Sequence, residues 1–354
     1  MKKIISILLV ALLLTGAVFA GGSKESGKTV VGVSMPTKSL QRWNQDGANM
    51  KAELEKAGYE VDLQYADNKV DVQVSQIENM VTKGAEILVV AAIDGSSLSA
   101  VLDEAKSIGC DVIAYDRLIM NTDAVSYYAT FDNYKVGTIQ GEFVEEQLGL
   151  KDGEGPFTIE FTTGDPADNN CVFFFGGAMD VLGKYIDNGQ LVCKSGQLER
   201  AEVSTPRWDS AEAQKRFENI LTANYSDGTK LDVALCSNDS TAIGVTEALK
   251  AAGYEAGSMP IITGQDCDII ATKNILAGYQ SMSVFKDTNT LAQKVLEMVI
   301  AIGEGKEPAV NDTKTYDNGV KVVPSYLCNP VFADASNYKE ILIDSGYYSA
   351  DQLK

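Results

Sequence analysis

At 354 residues, with 45% hydrophobic and 22% charged side chains, the chain exceeds what one hydrophobic core usually supports and has no disordered bias, so two globular domains are expected. Its 49 acidic against 30 basic residues, a formal charge of -19, repel phosphate backbones and argue against nucleic acid as a partner. The chain holds no histidine, which removes the commonest zinc ligand, the usual neutral-pH general base and any Ser-His-Asp triad together.

Lys2 and Lys3 lead into the apolar run Ile4 to Leu14 and then Thr15-Gly16-Ala17-Val18-Phe19-Ala20, a secretory signal peptide over residues 1–20 with cleavage expected after Ala20. That run is short for a bilayer, and no later stretch is long and apolar enough, so no membrane insertion is expected. Residues 21–28 read as a flexible leader. The mature chain is expected to be periplasmic. Its six cysteines, Cys110, Cys171, Cys193, Cys236, Cys267 and Cys328, show no CxxC and no paired spacing, so neither a metal cluster nor a disulfide pairing is assignable. No cofactor is expected, since no GxxxxGK[ST] loop and no GxGxxG after a strand are present.

Val30 to Met35 reads as a strand and Asn44 to Ala57 as a helix, followed by a strand Val61 to Tyr65. Val74, Ile77 and Val81 recur at helical spacing within Val72 to Lys83, and Gly84 stops that helix. Ile87-Leu88-Val89-Val90-Ala91 is continuously apolar, as a parallel strand covered on both faces must be. A helix Leu98 to Ile108 then leads to Val112-Ile113-Ala114-Tyr115, which ends abruptly in Asp116 and Arg117. The rhythm restarts after Phe131-Asp132-Asn133. Helices are expected at Tyr134 to Leu148, Val172 to Tyr185, Ser210 to Ala223 and Thr241 to Ala251, with strands at Phe157 to Phe161, Leu191 to Cys193, Val233 to Cys236 and Ile261 to Thr263. A short helix Ile269 to Leu276, a strand Ser281 to Lys286 and a helix Thr290 to Ile302 complete the series. The last strand-like stretch, Val322 to Val331, holds Pro324 and Pro330 and so suits an edge or a crossing segment. Alternating strands and helices in two similar lobes make an α/β layer fold.

In open α/β sheets ligands sit beyond the carboxyl ends of strands. The residues just past each strand here are polar: Lys38, Arg42 and Trp43; Asp94; Asp116 and Arg117; Asp168 to Asn170; Asn238 and Asp239; Asp266 and Asp268; Lys286. A lone Asp-Arg is commonly a salt-bridged pair closing a loop, but here the arrangement repeats along the whole chain. Hydroxyl-rich ligands need this inventory, because each hydroxyl donates and accepts while Asp accepts, Arg and Lys donate, and Asn does both. Trp43 and Trp208, the only tryptophans, adjoin such polar runs and suit stacking on the apolar faces of a pyranose, although a buried Trp is as often a packing residue. Asp187-Asn188-Gly189 lacks the alternating acids of a calcium loop and reads as a turn.

Several stretches carry a family likeness: Met35 to Lys38 with Arg42-Trp43, Ser75 to Met80, Ala114 to Arg117, Ala129 to Asn133, Asp168 to Asn170, Gly264 to Asp266, and Asn311 to Tyr316. Across the mature chain the sequence resembles the periplasmic sugar-binding proteins of ABC importers, most closely the multiple-monosaccharide-binding branch of the ChvE type, with the xylose-binding proteins as cousins. The resemblance implies a two-lobed type I periplasmic binding protein fold with three chain crossings. One lobe would comprise residues 29–132 and 284–324, the other 133–283 and 325–354. It makes Arg42, Arg117, Asp168, Asn170, Asn238, Asp266 and Lys286 hydrogen-bonding ligands and Trp43 and Trp208 stacking walls, with Asp94 added from the strand-end inventory. It also implies a monomer without enzymatic activity that closes on a monosaccharide and presents the closed form to an ABC permease, with a chemoreceptor or sensor kinase as a further partner. A receptor for ribose, an inositol or a signalling furanose is the alternative, and a glycosidase using cleft carboxylates a remoter one.

Overall fold

The computed structural model describes residues 28–354, so the signal peptide and nearly all of the leader lie outside the described residues. The chain begins with strand β1 (Val30–Met35), helix α1 (Gln41–Lys56), β2 (Glu60–Tyr65), α2 (Val70–Thr82), β3 (Ala85–Val90), α3 (Ser99–Ser107) and β4 (Asp111–Tyr115), followed directly by β5 (Val125–Phe131). These strands, joined by a late β11 (Ser325–Cys328), form one sheet in the order β11-β5-β4-β3-β1-β2, parallel throughout. The period of two explains the apolar runs: along β3, Leu88 and Val90 enter one core while Ile87 and Val89 enter the opposite one. Helices α2 and α3 cover the first face with Ile77, Met80 and Leu102, and α1 covers the other with Met50 and Leu54.

The second lobe opens with α4 (Asn133–Gln147) and continues as β6 (Phe157–Thr162), α5 (Asn170–Asp187), β7 (Leu191–Val192), α6 (Ser210–Asn224), β8 (Val233–Cys236), α7 (Asp239–Ala251), β9 (Ile261–Ile262) and α8 (Ile269–Leu276). Its parallel sheet runs β7-β6-β8-β9. Along β8, Val233 and Leu235 face one core and Ala234 and Cys236 the other. A bridge between Gln265 and Val284 ties in β10 (Met282–Phe285), which pairs antiparallel with β12 (Val331–Asp334).

Two lobe boundaries differ from the expected ones. Strand β10 stays with the second lobe as far as Phe285, and the helix after it, α9 (Thr288–Gly303), packs Leu291, Val295 and Val299 into the first lobe beside Met50. Residues 325–328, expected in the second lobe, form the edge of the first sheet as β11, so the last crossing falls at Asn329-Pro330 rather than at Pro324. The reason is the proline donor rule: Pro324 needs only its carbonyl at that edge, where it accepts the Tyr128 N–H at 3.0 Å. Strand β5 was not anticipated, because it comes after β4 without an intervening helix. All six cysteines are unpaired.

Helices α4 and α5 pack closely because each presents a glycine at the contact. A methyl group on Gly177 would collide with the Tyr134 carbonyl, which cannot retreat without bending α4. Gly177→Ala should therefore destabilise the fold by about 1–3 kcal/mol through overpacking, read as a lowered thermal midpoint; an unchanged midpoint would mean that the helices part freely.

Candidate functional site

The carboxyl ends of both sheets face each other across one cavity. Its first wall comes from the start of α1 and the loop after β4. Asp116 there has φ 59°, a left-handed backbone that turns its carboxylate away from the line of the strand. The opposite wall comes from the loops after β6, β7, β8, β9 and β10, and Asp266, after β9, is likewise left-handed at φ 96°.

A buried ion network crosses between the lobes. Arg42 donates from Nη2 to Asp116 Oδ1 at 2.6 Å, from Nη1 to Asp266 Oδ1 at 3.3 Å and from Nε to Asp46 Oδ2 at 3.1 Å. Lys286, only 2% exposed, lies 3.0 Å from Asp266 and 3.8 Å from Asp116. Arg117 stands 3.1 Å from Asp168 by Nε, while its Nη1 donates to the Ala92 carbonyl at 3.0 Å. Although burial works against ionisation, Arg42 and Lys286 hold the Asp116 carboxyl below its ordinary range. Burial prevails at Asp46, which is pushed up to about 7 despite Arg42, and at Asp168, which is raised despite Arg117. Burial with help from Asp266 likewise lifts Asp268 to about 7.

The two tryptophans stand on this frame. The Arg42 and Arg117 guanidinium carbons lie 5.1 and 5.0 Å from the Trp43 ring centroid. Trp208 meets Phe174 edge-to-face with centroids 6.2 Å apart and donates from Nε1 to Asp168 at 3.2 Å. Its ring lies so close over Gly164 that any side chain there would occupy the indole position, and both Arg207 and Trp208 adopt positive φ, 57° and 56°. Backbone strain of this kind persists only where the surroundings fix it.

Nine of the ten expected site residues line the cavity: Arg42, Trp43, Arg117, Asp168, Asn170, Trp208, Asn238, Asp266 and Lys286. Asp94 does not. Its carboxylate closes its own turn by accepting the Ser96 N–H at 2.8 Å, a role that strand-end position alone does not distinguish from facing a ligand. Asn170 is partly committed to the frame, donating to the Asp116 carbonyl at 2.7 Å and accepting from Tyr128 and Asn133. Asn238 caps α7 with its carbonyl oxygen, which accepts from Thr241 N–H at 3.0 Å. Asp116, Asp268, Ser240, Gln265, Leu40 and Phe174 also line the cavity and were not in the expected set. Asp116 and Asp268 had a signal, their strand-end position, whereas Leu40 and Phe174 carry no chemistry that sequence could single out.

The geometry agrees with three comparisons. Residues 31–307 match the model of the periplasmic binding protein domain. The chain is 52% identical to the multiple sugar-binding periplasmic receptor ChvE of Rhizobium radiobacter over the full length of both, and 35% identical to the D-xylose-binding periplasmic protein of Escherichia coli (strain K12) over 99% of each. The crystal structure of an ABC transporter solute binding protein from Clostridium phytofermentans with bound β-D-glucose superposes with a TM-score of 0.90 at 63% identity, covering 92% of this chain and 100% of that one. With two parallel-sheet lobes, a cavity at their facing strand ends and a match over most of its length, the chain belongs to the periplasmic binding protein family and has its type I fold.

Proposed function

We propose that the protein captures a monosaccharide of the glucose, galactose, xylose and arabinose class between its lobes and delivers it to an ABC importer. The observation that carries this reading is the cross-lobe pairing around the cavity, Arg42 with Asp266, Lys286 with Asp116 and Arg117 with Asp168. Three cations stand against three paired carboxylates, so these pairs offer donors and acceptors without a net charge, which suits a neutral polyhydroxylated ring better than an anion. The names of the relatives point the same way: one is a multiple sugar-binding receptor, and the superposed structure holds glucose. The closed pair of lobes is the shape that a permease would read, and a chemoreceptor or sensor kinase could read the same surface. The signal peptide read from the sequence supports a periplasmic receptor, and among the described residues no helix is long and apolar enough to cross a membrane.

Calorimetric titration of the mature protein, stripped of carried-over ligand, with D-glucose, D-galactose, L-arabinose, D-xylose and D-ribose should show binding of several pyranoses. Xylose alone would move the protein to the narrower receptor type. Arg117→Ala, which leaves buried Asp168 without a cation, and Asp266→Ala, which takes an acceptor from both Arg42 and Lys286, should each weaken binding by about 2–5 kcal/mol; unchanged affinity in both would remove the site from this cavity. Because both tryptophans line the cavity, a bound pyranose should also shift the intrinsic fluorescence. A spectrum unmoved by a sugar that calorimetry shows to bind would place that sugar elsewhere.

A further inference from the structure

Among the carboxylates of the cavity, Asp268 alone has no cation within ion-pair distance, since Arg42 and Lys286 are taken by Asp116 and Asp266, and Arg117 by Asp168. Its Oδ1 is fully buried and has no hydrogen-bond partner among the described residues. The position is nevertheless fixed. The Asp268 N–H donates to Asp239 Oδ2 at 2.8 Å, and the next amide, Ile269 N–H, donates across the cleft to Gln41 Oε1 at 3.1 Å. A pinned carboxylate on a residue that lines the cavity, with one oxygen buried and without a partner, is a group that the cavity's occupant can complete.

On the reading that the occupant is a monosaccharide, we propose that Asp268 is a further sugar contact that acts as a neutral acid, donating its carboxyl hydrogen to an oxygen of the bound sugar. The neighbours favour that form. Asp266 stands two residues before it, Asp239 accepts its N–H from the start of α7, and Tyr348 and the Cys267 thiol are the other titratable groups nearby, with Arg42 and Lys286 as the cations in the vicinity. Burial and Asp266 raise the carboxyl to about 7 against the pull of Arg42 and Lys286. Ionised, Asp268 would be the unmatched negative charge of an otherwise balanced lining, and a sugar sealed over it would deepen its desolvation. Protonated, it supplies a donor where the other carboxylates only accept. Because the bound state holds the acid, affinity is full below the free carboxyl's pKa and falls as pH rises through it.

The test is calorimetric titration with D-glucose at about pH 6 and about pH 8.5, where a carboxyl of pKa near 7 that binds only as the acid weakens the wild-type dissociation constant by about 30-fold. Asp268→Asn keeps a donor and removes the proton, so its affinity should be the same at both pH values. With no histidine in the chain, the competing sources of a pH slope around the cleft are the other raised carboxyls, Asp46, Asp168 and Asp239, and a slope retained by Asp268→Asn would assign the proton to one of them and overturn the proposal. The wild type offers a check independent of any variant: in buffers of different ionisation enthalpy at about pH 8.5, binding should take up close to one proton, and zero uptake overturns the assignment. Glucose bound equally well at both pH values would remove Asp268 while leaving the sugar reading intact, whereas no binding of any of the five sugars at either pH would remove both.

Discussion

Arg42 is the residue on which the site depends. It joins three carboxylates, buried Asp46 on its own helix, buried Asp116 from the strand end beside it and the partly buried Asp266 from the opposite lobe. Removing such a group from water costs several kcal/mol, and the attraction to its partners returns that only when the geometry is good and the remaining donors are satisfied. Here three of the guanidinium nitrogens have carboxylate partners, and the plane packs beside the Trp43 ring. The arrangement therefore fixes where Asp116 and Asp266 point more than it adds to stability. Lys286 repeats the pattern from the second lobe, reaching the same two carboxylates between the rings of Phe131 and Phe174.

That network requires two sheets whose carboxyl ends face each other, and the chain path supplies them. Each lobe is completed by a segment from the far end of the sequence: β11 and α9 return to the first, β12 to the second. Three connections thus run side by side between the lobes, at Asp132, after Phe285 and at Asn329-Pro330. Rotation about them changes the distance between Arg42 and Asp266 while leaving each lobe's core untouched. Gln41 adds a latch at the same edge, donating to Tyr348 Oη at 2.8 Å and accepting from Ile269 N–H.

Much of this was legible in the sequence because it stems from local periodicity. A run such as Ile87 to Val90 can only be a strand buried on both faces, and the abrupt change from Tyr115 to Asp116-Arg117 marks where such a strand meets a cleft. The rest depended on contacts between distant residues. Pro324 and Pro330 look equally disruptive in sequence, and only the pairing of β11 with β5 shows which one ends a lobe. Asp94 and Asp268 both come after strands, yet the Asp94 carboxylate accepts the Ser96 N–H and closes its own turn, whereas Asp268 is held by its own N–H on Asp239 and lines the cavity. The lobe boundaries implied by family resemblance were close but placed β11 on the wrong side.

The balance of charge in the cavity bears on why closure would need a ligand. Cross-lobe ion pairs form only when the lobes meet, but buried pairs are close to energetically neutral once desolvation is counted, so by themselves they leave the open and closed forms near balance. A bound polyol changes that. Each hydroxyl that bridges a charged donor on one lobe and an acceptor on the other contributes about 1.5–3 kcal/mol and exists only in the closed state. One or two such bridges supply the roughly 2.7 kcal/mol of differential affinity, half of what a shift from 1:99 to 99:1 requires, that carries an evenly balanced population to mostly closed. The same pairs that hold the side chains in place thus keep the empty form near a balance point, and the hydroxyls of the sugar decide it.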